Sequence, residues 1–306
     1  MNPAFSVIFL TTLIGAAQGL FLALFGAQLA SLASPVFLAT GGAVALALTV
    51  AGLVASFFHL GRPERAWRTA TMWRTSWLSR EVIALPLFMG CLFLWTGAHA
   101  LDLGHTIALG VVTALACGVL FVCTAMIYAS IKFLQEWASA YTLVNYTLLG
   151  LASGCTLATA MAGLQAPGLV GVFGVAALLF TAVGLVSRGL SLARNARLVP
   201  RSTLQTAIGI RHPQITQRAQ GFMGGSFNTR EFFHGKTPGA LRGVKWAFLI
   251  GAFVLPLALV ALGLVSASAG LLVLAFAVQY LGLLAERWFF FAQANHPQNL
   301  YYQTVA

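Results

Sequence analysis

The chain has 306 residues, 59% of them hydrophobic and only 8% charged, and its mean hydropathy is +0.87. A water-facing globular surface needs far more charge, so the composition excludes a soluble enzyme and is that of an integral membrane protein. The formal charge of +11 sits in short blocks between apolar runs, where it faces lipid headgroups or the cytoplasm and builds no nucleic-acid-binding face.

Eight apolar runs have the length needed to cross a hydrocarbon core about 30 Å thick. They extend approximately over Phe5 to Ala30, Val36 to Phe58, Val82 to Ala100, Thr106 to Ser130, Tyr141 to Gly163, Leu169 to Leu192, Val244 to Val265 and Gly270 to Phe291. None alternates polar and apolar residues as a barrel strand does. The expected fold is therefore all-α, an eight-helix transmembrane bundle forming one integral membrane domain over residues 1–306. The first run has no basic region ahead of it and no small-residue cleavage site, and reads as a retained helix, not a signal peptide.

Between the second and third runs, FFHLGRPERAWRTATMWRTSWLSREV (Phe57 to Val82) crowds one histidine, five arginines, two glutamates and three tryptophans against the membrane surface. The connections after the first, third, fifth and seventh runs carry no Lys or Arg, whereas those after the second, fourth and sixth do. The positive-inside rule then places both termini and the even-numbered connections in the cytoplasm, across the cell's inner membrane. The one long connection, about Ala193 to Gly243, is polar and basic. It is too short for an enzyme domain with its own core and long for a link between helices. It reads as a docking segment for a cytoplasmic partner, or alternatively as a basic loop lying on anionic lipid. Arg62 and Arg65 in the first basic connection and Arg230 in this one are the expected partner contacts. The GFMGGS within it lacks a preceding strand and a Gly-Lys-Ser/Thr ending, so it is turn chemistry and not a phosphate loop.

Cys91, Cys117, Cys123 and Cys155 all lie inside apolar runs without CxxC spacing, which makes them buried small hydrophobes and leaves no metal or cluster site. His59 follows Phe57 and Phe58 and precedes a Gly-Arg-Pro turn that stops the helix. An imidazole there can exchange protons with water on one side and hydrogen-bond a group held between helices on the other, which quinone chemistry requires. The competing reading is an ordinary helix-capping histidine. Ser79 and Glu81 suit the start of a helix, as cap and as dipole partner. Arg80 does not suit it unless paired, with Glu81 or Glu64 as the available partner. Gln18, Asn145 and Gln279 are apolar-face polar residues that can bond across helices, and Gln18 can also line a quinone pocket. Arg287 and Glu286 end the eighth run on the side of His59.

Haem b needs two axial ligands facing each other at one depth. His59 has no such mate, and His99 and His105 lie with Asp102 near the opposite surface, so no haem is expected. A secondary transporter is the alternative from another class. It calls for acidic residues near the bilayer midplane, whereas Glu64, Glu81, Glu136, Glu231 and Glu286 fall on the cytoplasmic side and Asp102 on the other.

HLGRPERAWR (His59 to Arg68), followed by SWLSREV (Ser76 to Val82), resembles the signature of DmsC-type membrane anchors. These are the haem-free subunits of molybdopterin oxidoreductases such as dimethyl sulfoxide reductase, and distant relatives of the NrfD and polysulfide-reductase anchors. AERWFFF (Ala285 to Phe291) is similar to that family's terminal arginine-plus-aromatic motif. The resemblance implies an eight-helix anchor that binds an iron-sulfur subunit and a molybdopterin catalytic subunit on the cytoplasmic side. Such an anchor exchanges electrons with ubiquinone or menaquinone, and His59 stands where the family has its quinone-associated histidine. Molybdopterin and iron-sulfur clusters would then reside only in the partners. The long segment before the seventh run departs from the smaller dimethyl sulfoxide reductase anchors and looks more like the anchors of cytoplasmic sulfite dehydrogenases. That similarity favours quinone reduction driven by sulfite oxidation over quinol oxidation driven by an S-oxide.

Overall fold

A computed structural model describes residues 1–58, 60–216, 218 and 232–300. Among these residues there are eight helical spans long and apolar enough to cross a membrane, and no strand. Six follow in sequence: α1 (Phe5–Leu29), α2 (Pro35–Phe57), α3 (Trp77–Ala100), α4 (Thr106–Ala129), α5 (Ala140–Gln165) and α6 (Val170–Ala196). A 3-10 stretch, Pro63–Met72, separates α2 from α3. The short α7 (Leu204–Ile208) lies in the long connection. The seventh span is α8 (Pro238–Leu249) and α9 (Leu255–Val265) joined by a π-helical turn, Ile250–Val254, and the eighth is α10 (Ala269–Ala292).

Two helix starts differ from expectation for a local reason. Ser76 has extended backbone angles and its hydroxyl accepts the Ser79 amide at 3.3 Å, so α3 begins at Trp77 and not near Val82. Ser79, expected as the cap, is instead buried in the first turn. Thr237 in the same way accepts the Ala240 amide at 3.2 Å and starts α8 at Pro238, ahead of the expected Val244. With α6 running to Ala196, the long connection shrinks to residues 197–237. His59, Arg230, Glu231 and the GFMGGS segment lie outside the described residues.

At the centre of the bundle α1 and α5 cross with their backbones nearly touching. A Cβ on Gly19 would strike the Gly150 carbonyl, and one on Gly154 would strike the backbone of Gly19 and Leu20. In lipid there is no hydrophobic force between helices, so such small-residue contacts are what allow close packing. The outer faces present Val50, Leu87, Phe93, Leu115, Leu179 and Leu281, side chains at home in hydrocarbon.

The polar residues inside the bundle are matched across helices. Asn145 Oδ1 accepts the Ser187 hydroxyl at 2.8 Å, and Gln28 accepts from Trp95 Nε1 and donates to Thr106, both at 2.9 Å. Pro256 has no N–H for the Ala252 carbonyl one turn back. Gln279 Nε2 supplies a donor to that carbonyl at 3.4 Å and reaches Thr181 at 3.1 Å.

The starts of α1, α3, α5 and α8 and the ends of α2, α4, α6 and α10 gather at one end of the bundle, which also carries the basic connections. There the 130–139 connection is fixed in place. Trp137 Nε1 donates to the Phe290 carbonyl at 2.8 Å, and the Arg194 guanidinium donates to the Gln135 carbonyl at 3.1 Å.

Candidate functional site

A cleft lies in the half of the bundle nearer the basic end, between α1, α3, α4, α5 and α10. It is narrow, and its lining, not its volume, marks it as a candidate site. Its walls are largely apolar, with Leu10, Ile14, Phe121, Leu149 and Leu283, and its polar lining includes Gln18, Glu81, Thr124, Tyr146 and Arg287. Glu81, Thr124, Tyr146 and Arg287 sit five to seven residues inside their helix ends, about 8–10 Å along the helix axis. Gln18 lies deeper, near the middle of α1.

Each polar group is held by a specific neighbour. Thr124 donates its hydroxyl to Glu81 Oε1 at 2.5 Å, tying the second turn of α3 to the last turns of α4. Gln18 Nε2 donates to the Cys117 carbonyl at 2.9 Å, which leaves its own carbonyl oxygen free to accept. The hydroxyls of Thr11, Thr12 and Ser153, also in the lining, donate back to carbonyls of their own helices.

Arg287 is part of a buried ionic triad. Its Nε lies 2.5 Å from Glu286 Oε2, and Glu286 Oε1 lies 2.7 Å from Arg188 Nε on α6. Glu286 is 0% exposed and Arg188 1%. The Arg287 guanidinium is also stacked 4.2 Å from the Tyr146 ring centre and 4.8 Å from that of Phe290. Glu286 and Arg287 stand one to two turns inside α10, facing α5 and α6, and the triad sets two guanidinium groups against one carboxylate.

Three of the sequence-expected quinone residues, Gln18, Glu81 and Arg287, thus line one cleft. Arg80 is not in its lining. Its guanidinium donates to the Trp73 and Arg74 carbonyls at 2.9 and 2.8 Å and lies 4.2 Å over the Trp77 ring, closing the turn that precedes α3. No ion pair between Arg80 and either Glu81 or Glu64 occurs among the described residues, and Glu64 faces Arg65 at 3.8 Å on the surface. Arg62 and Arg65 are exposed at the basic end. Arg188, Tyr146 and Thr124 went unnoticed in the sequence. An arginine inside the apolar run around Val186 to Leu190 was a usable signal, since intramembrane charge is rarely idle. A lone tyrosine or threonine on an apolar helix carries none.

The described residues contain no group of three or more His, Cys, Asp or Glu side chains able to hold a metal ion. His99 is 8% exposed and packs edge-on against Trp95 at 4.8 Å, near the end of α3 away from the cleft. The lining, apolar walls with a few hydrogen-bonding groups, has the chemistry that a flat ring bearing acceptor oxygens calls for. Tyr146 Oη and Arg287 Nη1 are buried without a partner of hydrogen-bonding geometry, and Glu81 supplies a carboxyl that can hold or release a proton.

Comparison with known proteins bears on the same question independently. The family model for the DMSO reductase anchor subunit (DmsC) matches residues 1–217. The chain is 52% identical, over 325 aligned positions spanning the whole of both chains, to one of the subunits of the sulfite dehydrogenase of Allochromatium vinosum. It is 32% identical over 153 positions to the anaerobic dimethyl sulfoxide reductase chain YnfH of Escherichia coli, covering 46% of this chain and 52% of that one.

Proposed function

The chain belongs to the DMSO reductase anchor subunit (DmsC) family, and from that premise we propose that it is the quinone-reactive anchor of a sulfite-oxidising molybdopterin complex. The observation that carries the quinone reading is the cleft that gathers Gln18, Glu81, Tyr146 and Arg287 at the basic end of an otherwise apolar bundle. The full-length similarity to a sulfite dehydrogenase subunit, against half-length similarity to a dimethyl sulfoxide reductase chain, favours sulfite as the partner's substrate.

In this reading a molybdopterin subunit oxidises sulfite with water to sulfate, releasing two protons and two electrons. The electrons pass through an iron-sulfur subunit docked on the basic connections, with Arg62, Arg65 and Arg230 among the contacts. Quinone, when bound, supplies the two-electron, two-proton acceptor. The chain's own residues do the rest. Leu10, Ile14 and Leu149 exclude water from the ring, Tyr146 and Arg287 orient it, and Glu81, held by Thr124, delivers a proton. His59, the first polar residue past α2, is assigned the exchange of protons with the aqueous phase, on its sequence context and the family resemblance. Arg80 shapes the turn that sets Glu81 in place. The positive-inside pattern supports a cytoplasmic location for the termini, the partners and the cleft's end of the bundle. No haem takes part.

The test uses the purified complex with its partner subunits. Glu81→Gln keeps the shape of the side chain and removes the carboxylate. We expect sulfite-dependent reduction of decylubiquinone to fall by about 10²-fold or more, the scale of a lost positioned proton donor. Reduction of ferricyanide, which takes electrons from the partners directly, stays at the wild-type rate. Quinone reduction by Glu81→Gln at the wild-type rate would exclude the carboxyl from the reaction.

A further inference from the structure

We propose that Arg188 is a positioning residue which, through Glu286, aims Arg287 into the cleft, where Arg287 and Tyr146 together hold one ring oxygen of the quinone. This rests on the quinone reading above and adds what that reading leaves open: how the ring is gripped and by which second layer of residues.

The cleft supplies the first part of the argument. Tyr146 and Arg287 are 7% and 4% exposed, they line the same cleft and lie against each other, and neither Tyr146 Oη nor Arg287 Nη1 has a partner of good hydrogen-bonding geometry. Their loose contact with each other leaves donor capacity over, and buried donor capacity is costly to leave unused. Two such donors side by side on one wall make a place for a single acceptor oxygen. The stacking of the guanidinium 4.2 Å over the Tyr146 ring joins the two donors, so neither moves without the other.

Arg188 supplies the second. It does not line the cleft. It lies on α6, with its guanidinium 5.5 Å over the Phe248 ring and Nη1 3.4 Å from Ser191 Oγ, neither of which lines the cleft. Its Nε engages one oxygen of Glu286 and leaves only the other for Arg287. A carboxylate with both oxygens free would take an arginine in a two-pronged pair. Such a pair would draw a second Arg287 nitrogen out of the cleft. Arg188 blocks that geometry. Two guanidinium groups sharing one carboxylate also leave one positive charge beside the cleft, which favours an electron-rich oxygen there.

The test again uses the complex with its partner subunits, with decylubiquinone as the probe. Two readouts are taken: its dissociation constant by calorimetry on the non-turning-over complex, and KM against kcat in turnover. Tyr146→Phe removes one hydroxyl and keeps the ring on which Arg287 stacks. It is expected to raise the dissociation constant and KM by about 5–15-fold, the scale of one lost hydrogen bond, with little change in kcat. Arg188→Gln is expected to raise the dissociation constant as much or more, and Arg188→Lys to restore a good part of it, since an ammonium can still occupy Glu286 Oε1. Should Arg188→Gln fail to accumulate, Arg188→Lys and Tyr146→Phe decide the matter. Binding by Tyr146→Phe within about twofold of wild type overturns the grip, and Arg188→Gln binding normally overturns the positioning role. A wild-type complex that oxidises sulfite with ferricyanide yet neither binds nor reduces decylubiquinone overturns the quinone reading as well.

Discussion

Glu286 shows at the scale of one residue why a membrane interior tolerates charge. Fully buried, it has an arginine on each of its oxygens at 2.7 and 2.5 Å, and removing Glu286 itself would strand two buried cations at a cost of about 3–5 kcal/mol or more. A second residue-scale consequence lies outside the spans. His234 is 8% exposed and its Nδ1 accepts the Lys236 amide at 3.0 Å. Burial first, then the amino-terminal charge and Lys236, push its pKa below the ordinary 6.5. His296, stacked on Phe232 at 3.9 Å, is shifted the same way, by burial first. Both rings are favoured neutral when docked, so the undocked segment binds more protons. The stabilisation is present above pH 6.5 and is lost as pH falls through the depressed folded values. Hydrogen exchange of the 232–237 amides, corrected for intrinsic rate, is expected to quicken between about pH 7.5 and about pH 5; unchanged protection would show that these imidazoles do not govern the docking. Legibility at this scale was uneven. Gln18, Glu81 and Arg287 stood out because polar residues on apolar runs are few. Arg80 stood out equally but satisfies turn carbonyls, because its direction depends on where α3 starts, a matter settled by Ser76.

The crossing of α1 and α5 is the clearest case at the scale of elements. Gly15, Gly19, Gly150 and Gly154 recur at four-residue spacing, which puts each pair on one helical face. Gly154 would drive a side chain into the backbone of Gly19 and Leu20, whereas Gly118 on α4 has nothing within 4 Å of its Cβ position. Gly154→Leu is therefore expected to force the two central helices apart, at a cost of about 1–3 kcal/mol or more, and to lower the amount of protein in the membrane fraction. Gly118→Leu is expected to be neutral. Equal membrane levels and equal thermal midpoints for the two variants would mean that the crossing does not limit stability. The π-helical turn in the seventh span belongs to the same scale. Pro256 foretold a break, but the compensating donor, Gln279, comes from another helix and was visible only as a polar residue able to bond somewhere.

For the whole molecule the arrangement of charge is decisive. The basic connections, the cleft and the docked 130–139 and 232–237 segments share one end of the bundle. Reporter fusions give the check on sidedness. A fluorescent protein joined after Ala306 is expected to fluoresce, as it does only when cytoplasmic, and alkaline phosphatase inserted in the 101–105 connection is expected to be active, as it is only when exported. The opposite pattern would move the proposed docking face, and with it the partner subunits, across the membrane.

The number of spans, the basic end and the family were written in the sequence alone, because hydropathy over about 20 residues and the placement of Lys and Arg are one-dimensional quantities that a bilayer reads directly. The cleft was not. Its lining comes from five helices whose facing sides depend on how closely α1 and α5 approach and on where α3 begins. Those are properties of packing, so only the tertiary structure brought Arg188, Glu286, Arg287 and Tyr146 into contact and turned Arg80 away.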